Sequence, residues 1–199
     1  YMITNKIRFP NYSGVRCLMM PYIQGDANSL PSQYNTYAEI VNSVFLRRGD
    51  IGYLTIDESL VLKGSPHRGA RAKTFRALHT EAGLHPNKFY KWGWGGRIQV
   101  TLDGDVKILL SNNLDDSCAI WNATHWDTSK DGDIGHVSHL YPYDNAIFMK
   151  AGEVHEIGIL TPHERLPVCE DFYRQFLRIV SSGVHGREEY FTENPLMPL

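Results

Sequence analysis

The residues best able to do chemistry in this chain are a histidine and a glutamate two positions apart. His79 and Glu81 close the segment Phe75–Glu81, a short apolar pattern that favours a strand. Successive side chains of a strand point to opposite faces, so His79 and Glu81 share one face. A histidine and a carboxylate side by side supply two of the three ligands of a facial metal site. The rest of the chain must supply a second histidine.

Two sets of residues can form such a site. The first adds His163 to His79 and Glu81, and it places Arg174 eleven residues beyond His163 as a bidentate partner for an anion. The second set is independent of the first, and by local spacing it is at least as suitable because aspartate is the commoner carboxylate ligand. Its ligands are His125, Asp127 and His155, and Arg165 lies ten residues beyond His155 as the partner for the anion.

The chain length between the ligand pair and the distal histidine separates the two sets. A double-stranded β-helix commonly houses such a metal, with about four strands between the pair and the distal histidine. Four strands with tight turns need roughly 30–40 residues. Only 27 residues, part of them loop, separate Asp127 from His155, whereas 81 separate Glu81 from His163. We therefore predict a metal site at His79, Glu81 and His163.

Several other side chains are candidates for the lining of a pocket around this site. Arg174 and Arg178 share a strand face with Phe176, so one arginine is expected to point inward, where a buried guanidinium needs an anionic partner. His155 shares a face with Ile157, and three roles stay open for it: a core residue, a substrate contact or the true distal ligand. The candidate pocket residues are Trp92, Trp94, Trp121, His155 and Arg178.

The elements that must position these residues are mainly strands. Residues 34–48 have apolar positions at helical spacing, and two arginines before Gly49 suit a helix C-terminus. Roughly ten strand-like segments follow at intervals near ten residues, including Val137–Tyr141 and two strands that flank Asp57–Ser59. We predict a mainly β fold, a double-stranded β-helix of the jelly-roll or cupin-like kind, with one or two supporting N-terminal helices. The 199 residues would form a single domain, with an N-terminal arm and helix at 1–48, a β-helix core at 49–183 and a surface tail at 184–199.

Composition excludes several classes of function. The formal charge of −2 contains no basic excess, which argues against a nucleic-acid partner. No apolar run approaches the ~20 residues of a membrane span, and no secretion-signal layout opens the chain. The three widely spaced cysteines include no CxxC pair and favour a reducing compartment. We expect a cytoplasmic protein that acts on a small-molecule or peptide substrate, with no membrane partner and no sequence signal for its oligomeric state.

Five segments together resemble a family of uncharacterised proteins. The resemblance spans about residues 50–195, and its most specific blocks are T-P-H-E and R-Q-F. It implies that His79, Glu81, His163 and Arg174 match motif positions of that family, whereas Arg165 stands where the family has serine. The family's blocks are Y-L-T-I-D-E, L-H-x-E, S-C-x-V-W, T-P-H-E-S-L-P and R-Q-F-F-R-L, and they match Gly52–Glu58, Leu78–Glu81, Ser117–Trp121, Thr161–Pro167 and Tyr173–Ile179.

More distantly, the chain resembles the Fe(II)/2-oxoglutarate-dependent oxygenase superfamily. That resemblance implies Fe(II) at His79, Glu81 and His163, and 2-oxoglutarate with its distal carboxylate at Arg174. It predicts a hydroxylase, because the carboxylate ligand occupies the position that a halide would need in a halogenase. Two other classes stay open: a cupin-like metal enzyme that does not use 2-oxoglutarate, and a non-catalytic jelly-roll binding module whose histidines are structural.

Overall fold

The structure is a computed structural model that describes residues 2–65, 76–84, 90–92, 97–98, 106–127, 132–181 and 191–197. The described chain is mainly β, with one short α-helix, α1, at Ala38–Ser43. Four 3₁₀ helices cover Ala27–Ser29, Ser32–Tyr37, Gly135–Leu140 and Tyr143–Asn145. The strands are β1 (Met2–Lys6), β2 (Arg16–Ile23), β3 (Ile51–Val61), β4 (Leu78–His79), β5 (Ala82–Leu84), β6 (Tyr90–Trp92), β7 (Arg97–Ile98), β8 (Lys107–Asn112), β9 (Cys118–Ile120), β10 (Ile147–Phe148), β11 (Glu153–Gly158), β12 (His163–Arg165) and β13 (Phe172–Val180).

The strands form two main antiparallel sheets and one small ribbon. The first sheet has six strands in the order β1-β11-β8-β13-β3-β2, and the second has four in the order β10-β9-β12-β4. The ribbon β5-β6-β7 forms a separate three-stranded sheet. Strands β8 to β11 lie between β4 and β12 in the chain, so four strands of the two main sheets separate the His79–Glu81 segment from His163.

The main hydrophobic core lies between the two main sheets. Alternation along each strand turns every second side chain toward this layer. Strand β8 contributes Ile108 and Leu110, β13 contributes Val180, and the four-stranded sheet contributes Cys118 and Ile120. All five are buried. The functional side chains described below lie on these same inward faces.

The opposite face of the six-stranded sheet is covered by the N-terminal segment. Leu54 and Leu177 pack against Tyr37, Ile40 and Val41 of the helical region. We predicted one helix over residues 34–48, but the structure forms a 3₁₀ turn followed by α1, which ends at Ser43. Beyond the helix, the backbone N–H groups of residues 46 and 47 have a tertiary partner: they donate to the buried Gln24 Oε1 at 2.9 and 3.3 Å.

Two of the predicted strand boundaries were wrong. The predicted turn at Asp57–Ser59 lies inside the single strand β3, because all three residues pair with β13. The predicted strand Val137–Tyr141 overlaps the 3₁₀ helix Gly135–Leu140, whose backbone N–H groups bond locally to carbonyls three residues earlier. No helix among the described residues is both long and apolar enough to cross a lipid bilayer.

The described part of the C-terminal tail packs against β2. Within the predicted surface tail, residues 193, 195 and 196 are exposed, whereas Asn194 is buried and its Nδ2 donates to the carbonyls of Pro21 and Ser29, both at 2.8 Å. Thr192 pairs with Leu18 through its backbone N–H at 2.7 Å and through its hydroxyl, which accepts from the Leu18 N–H at 2.9 Å. Phe191 of the same segment packs against the core between the two main sheets.

Candidate metal centre

Three side chains meet where β4 and β12 run side by side. His79 on β4 and His163 on β12 are register partners, and Glu81 follows β4 directly. The two imidazole rings lie 4.1 Å apart between centroids. The ligand atoms of His79, Glu81 and His163 lie within 4.8 Å of one another, and all three side chains are buried. Within the described ranges, no other three His, Cys, Asp or Glu side chains form such a group.

Both histidines present the same nitrogen to this group. The Nδ1 of His79 lies 2.8 Å from the carbonyl of Ala77, and the Nδ1 of His163 lies 2.9 Å from the carbonyl of Thr161. A carbonyl oxygen only accepts, so each Nδ1 carries a hydrogen and donates it. The Nε2 of each ring is then the atom that can take a metal or a second proton. Metal-ligating histidines are typically oriented by such a bond from their other nitrogen.

Glu81 is the charged centre of the group. Its Oε2 accepts from Arg178 Nη1 at 2.9 Å, and its Oε1 lies 2.9 Å from His163 Nε2. Burial by itself would raise the pKa of Glu81, but Arg178 and then His163 outweigh it and hold the pKa well below the usual range. The ionised carboxylate cannot face a bare Nε2 lone pair at 2.9 Å, so a positive charge, either a proton or a metal ion, belongs between the two atoms. The trio could hold a metal ion.

A chain of hydrogen bonds connects Glu81 to an irregularity in β2. Arg178 Nη2 donates to Thr55 Oγ1 at 3.2 Å, and the Met19 N–H donates to the same oxygen at 3.1 Å. Met19 has a φ of 47° and lies where the β2–β3 register shifts. A bulge of this kind redirects the backbone of an edge strand. Sequence reasoning missed Thr55 and Met19, because neither residue type signals a support for a metal ligand.

A cavity of about 520 Å³ opens from the trio into the space between the sheets. Its walls include both arginines of β13, Arg174 and Arg178, and also Arg165 of β12. We predicted that one of the two β13 arginines faces inward, and both do. Alternation explains this, since Arg174 and Arg178 are four residues apart on the same strand.

Arg174 is the least satisfied of these side chains. It is only 2% exposed, and within the described residues its Nε and Nη1 atoms have no hydrogen-bond partner. Burial lowers the pKa of Arg174 to about 10, which the neighbouring Cys118 and Asp57 offset only in part. Burial raises the pKa of the Cys118 thiol to about 11, so this neighbour is neutral at physiological pH. Buried guanidinium donors without partners are costly, and an anionic ligand would satisfy them.

The second set of predicted ligands is not brought together. His125 has both ring nitrogens engaged, with Tyr141 Oη at 2.7 Å and the backbone carbonyl of Asp127 at 2.8 Å. His155 is fully buried on β11 in the other sheet, and its Nε2 lies 3.1 Å from Glu153 Oε2. Burial lowers the pKa of His155 despite Glu153. Of that set, only Arg165 lines the cavity beside the trio.

Some of the candidate pocket residues line the cavity and others do not. Arg178 lines the cavity, whereas His155 and Trp121 do not. Trp121 is wrong as a pocket residue because it belongs to the cluster on the outer face of the four-stranded sheet, where its Nε1 donates to the Pro142 carbonyl at 2.9 Å. The side chain of Trp92, at the end of β6, and the whole of Trp94 lie outside the described residues.

Comparison with known proteins found no matching family model, no matching curated protein and no matching solved structure.

Proposed function

We propose that the protein is an Fe(II)/2-oxoglutarate-dependent oxygenase that hydroxylates its substrate on a double-stranded β-helix scaffold. The observation that carries the proposal is the pairing, in one cavity, of the His79–Glu81–His163 trio with buried Arg174, two of whose donor atoms have no partner among the described residues. A trio of two histidines and one carboxylate is the ligand set of non-haem Fe(II) oxygenases.

Strand connectivity supports the scaffold. The segment β3–β4 passes from the six-stranded to the four-stranded sheet and runs antiparallel to β12–β13, which passes back. The segment β8–β9 does the same against β10–β11. Two antiparallel ribbons that each contribute to both sheets are what a double-stranded β-helix requires. The small ribbon β5–β7 is an insertion between the two ribbons.

The side chains have separate tasks in this proposal. His79, Glu81 and His163 would hold Fe(II) on one face and leave the opposite face for 2-oxoglutarate and dioxygen. Arg178 donates to Oε2 of Glu81 and so orients the carboxylate, which leaves Glu81 Oε1 as the atom that would bind the metal. Arg174 would pair with the distal carboxylate of 2-oxoglutarate, and a planar guanidinium suits that group.

Bound Fe(II) and 2-oxoglutarate would supply the oxidative chemistry, in which 2-oxoglutarate, dioxygen and a substrate C–H group become succinate, carbon dioxide and a C–OH group. The protein's own contribution is geometry and exclusion of water. The trio is at most 6% exposed, and Leu110 and Cys118 add apolar surface to the cavity that it faces. A dry site preserves the strength of every electrostatic contact around the metal.

Metal analysis and 2-oxoglutarate turnover test the proposal together. Protein purified without chelator should contain about one transition-metal ion per chain, and with Fe(II) it should release succinate from 2-oxoglutarate. His163→Ala should abolish both, whereas His155→Ala, which removes a buried histidine outside the cavity, should retain both. If His155→Ala loses metal while His163→Ala keeps it, the ligand assignment is wrong.

Two outcomes would select the other classes of protein. Metal binding without any 2-oxoglutarate turnover or binding would favour a cupin-like enzyme that uses the metal alone. The absence of a transition metal above trace would favour a non-catalytic binding module, in which the three side chains are a buried hydrogen-bonded group.

A further inference from the structure

Basic side chains outnumber acidic ones on the wall of the cavity. Among the described residues, four arginines and two carboxylates line it, and two of these arginines are already paired. Arg178 pairs with Glu81 at 2.9 Å, and Arg16 pairs with Asp57 at 2.9 Å. The remaining two guanidinium groups belong to Arg165 and Arg174. Neither forms an ion pair with any described residue, and the one described carboxylate that acts on Arg174, Asp57, already pairs with Arg16.

These two guanidinium groups lie at the same end of the cavity, from opposite sheets. Arg165 on β12 and Arg174 on β13 both approach the Phe176 ring, with their central carbons 5.7 and 5.4 Å from its centroid. The metal-binding trio lies toward the other end: His163 precedes Arg165 by two residues on β12, a rise of about 7 Å. The cavity therefore runs from the trio toward a basic end.

The two arginines differ in depth. Arg174 is 2% exposed, whereas Arg165 is half-buried and Arg16 beyond it is mostly exposed. A single carboxylate can satisfy the buried Arg174, and this is the role that the proposed function assigns to the distal carboxylate of 2-oxoglutarate. Arg165, nearer the solvent, would still lack an anion after that cofactor is bound.

We infer that the substrate carries an acidic group, a carboxylate or a phosphate, which binds Arg165 while the carbon to be oxidised faces the metal. This inference rests on the proposed function and names the substrate class for the same site. Leu18, Leu110 and Phe176 line the space around Arg165 and the trio, so the body of the substrate is apolar. An acid with an apolar body would pair with the Arg165 guanidinium and also contact the apolar part of the wall.

Electrostatic repulsion between the two arginines also supports a substrate-binding role for Arg165 rather than a structural one. Two like charges beside one aromatic ring repel each other unless an anion lies near them. Arg16 cannot take this role, because Asp57 already neutralises it. The positive charges of Arg165 and Arg174 would also draw anions into the cavity.

Binding of simple acids to the inactive ternary complex tests the inference. The protein is loaded with Zn²⁺, which does not support turnover, and saturated with 2-oxoglutarate. Benzoate, phenyl phosphate and the uncharged benzamide are then titrated by calorimetry. We expect at least one of the two acids to bind saturably and benzamide to bind at least tenfold more weakly.

Arg165→Met should weaken binding of the acid about 10- to 100-fold, the usual range for a charge-assisted bond, and leave the Kd of 2-oxoglutarate within about twofold. Arg16→Met is the matched control at the exposed rim and should leave both Kd values within about twofold.

The two levels of the proposal fail in different ways. Failure of the unaltered protein to bind Zn²⁺ or 2-oxoglutarate overturns the proposed function, and the inference with it. If both bind but neither acid does, or if benzamide binds as well as the acids, the inference alone is wrong. It is also wrong if Arg165→Met weakens 2-oxoglutarate rather than the acid, because Arg165 would then belong to the cofactor site.

Discussion

Two buried glutamates in this protein carry similar charges in opposite settings. Glu58 is 2% exposed and Glu81 is 5% exposed, and the pKa of each is held below its usual value. Glu58 lies on the face of β3 that packs against the N-terminal segment. Glu81 lies between the sheets, at the cavity. The two sites differ in what surrounds the carboxylate.

The donors around Glu58 leave no role for a ligand. Its Oε2 accepts from the backbone N–H groups of residues 13, 14 and 15 at 2.7, 2.6 and 3.2 Å. Its Oε1 accepts from Tyr37 Oη at 2.8 Å and from Gln175 Nε2 at 2.7 Å. These donors keep their hydrogens at every physiological pH. Glu58 therefore ties the N-terminal arm to the six-stranded sheet, and its function is structural.

Glu81 has one fixed partner and one exchangeable partner. Arg178 is always charged, but the positive charge between Glu81 Oε1 and His163 Nε2 can be a proton or a metal ion. A third buried glutamate, Glu164 on the outer face of β12, resembles Glu58, since it accepts from Arg76 at 2.7 and 2.9 Å and from Tyr143 at 3.1 Å. The comparison shows that burial of a carboxylate does not identify a metal site. An exchangeable neighbour beside a cavity makes Glu81, unlike Glu58 and Glu164, a candidate metal ligand.

The largest expected effect is a loss of metal affinity on substitution of Glu81 but not of Glu58. Glu81→Gln removes the charged ligand and should lower Zn²⁺ affinity more than about 100-fold, beyond the loss typical of a supporting residue. Glu58→Gln should leave affinity within about twofold, because Glu58 does not line the cavity. Calorimetry with Zn²⁺ measures both. Equal losses in the two variants would show that the metal effect is a general consequence of unfolding rather than of ligand removal.

In the absence of metal, the substitution of Glu58 is expected to lower the stability of the fold. Glu58→Gln weakens several charge-assisted hydrogen bonds at once and should lower the free energy of unfolding by about 2 kcal/mol. The folded pKa of Glu58 lies below its ordinary 4.5, although burial alone would raise it, because Gln175, Ser13 and Tyr37 donate to the carboxylate. Its contribution is therefore present above pH 4.5 and is lost as the pH falls through the lowered value.

Urea unfolding between pH 7 and pH 3 measures this contribution. The difference in unfolding free energy between the unaltered protein and Glu58→Gln should be constant above pH 4.5 and shrink below it. A difference that grows on acidification would contradict the structural role assigned to the Glu58 carboxylate.

The smallest effect compares the arginines that serve two of the glutamates. Arg178→Met removes the support of Glu81 and should lower Zn²⁺ affinity by about 10- to 100-fold. Arg76→Met removes the partner of Glu164 and should lower the free energy of unfolding by about 2 kcal/mol with little change in Zn²⁺ affinity. Metal affinity and urea unfolding, measured on both variants, give the comparison. Unchanged Zn²⁺ affinity in Arg178→Met would mean that Glu81 needs no orienting partner.

Some features of the site follow from the sequence alone. The two-residue period of a strand put His79 and Glu81 on one side, and likewise Arg174, Phe176 and Arg178. The 81 residues between Glu81 and His163 leave room for the four strands of the two main sheets that the structure forms there, whereas the 27 before His155 do not. Period and chain length are local properties, and they can be read without knowing which strands pair.

Other features needed the tertiary structure, because they depend on partners distant in the chain. Trp121 was a candidate pocket residue and Arg165 belonged to the second set, yet Trp121 packs outside the four-stranded sheet and Arg165 lines the cavity. Beyond the helix end at Ser43, the N–H groups of residues 46 and 47 donate to Gln24 instead of to helical carbonyls. Asn194 is buried because its side chain donates to the carbonyls of Pro21 and Ser29.

The buried glutamates show the same difference between what the sequence determines and what the tertiary structure determines. The sequence determined that Glu81 lies beside His79, since alternation fixes neighbours two residues apart on one face. Only the tertiary structure decided that Glu81 meets His163 and Arg178, while Glu58 meets the backbone of the N-terminal arm. Long-range register sets which donors surround a buried carboxylate, and those donors decide between a structural anchor and a candidate metal ligand.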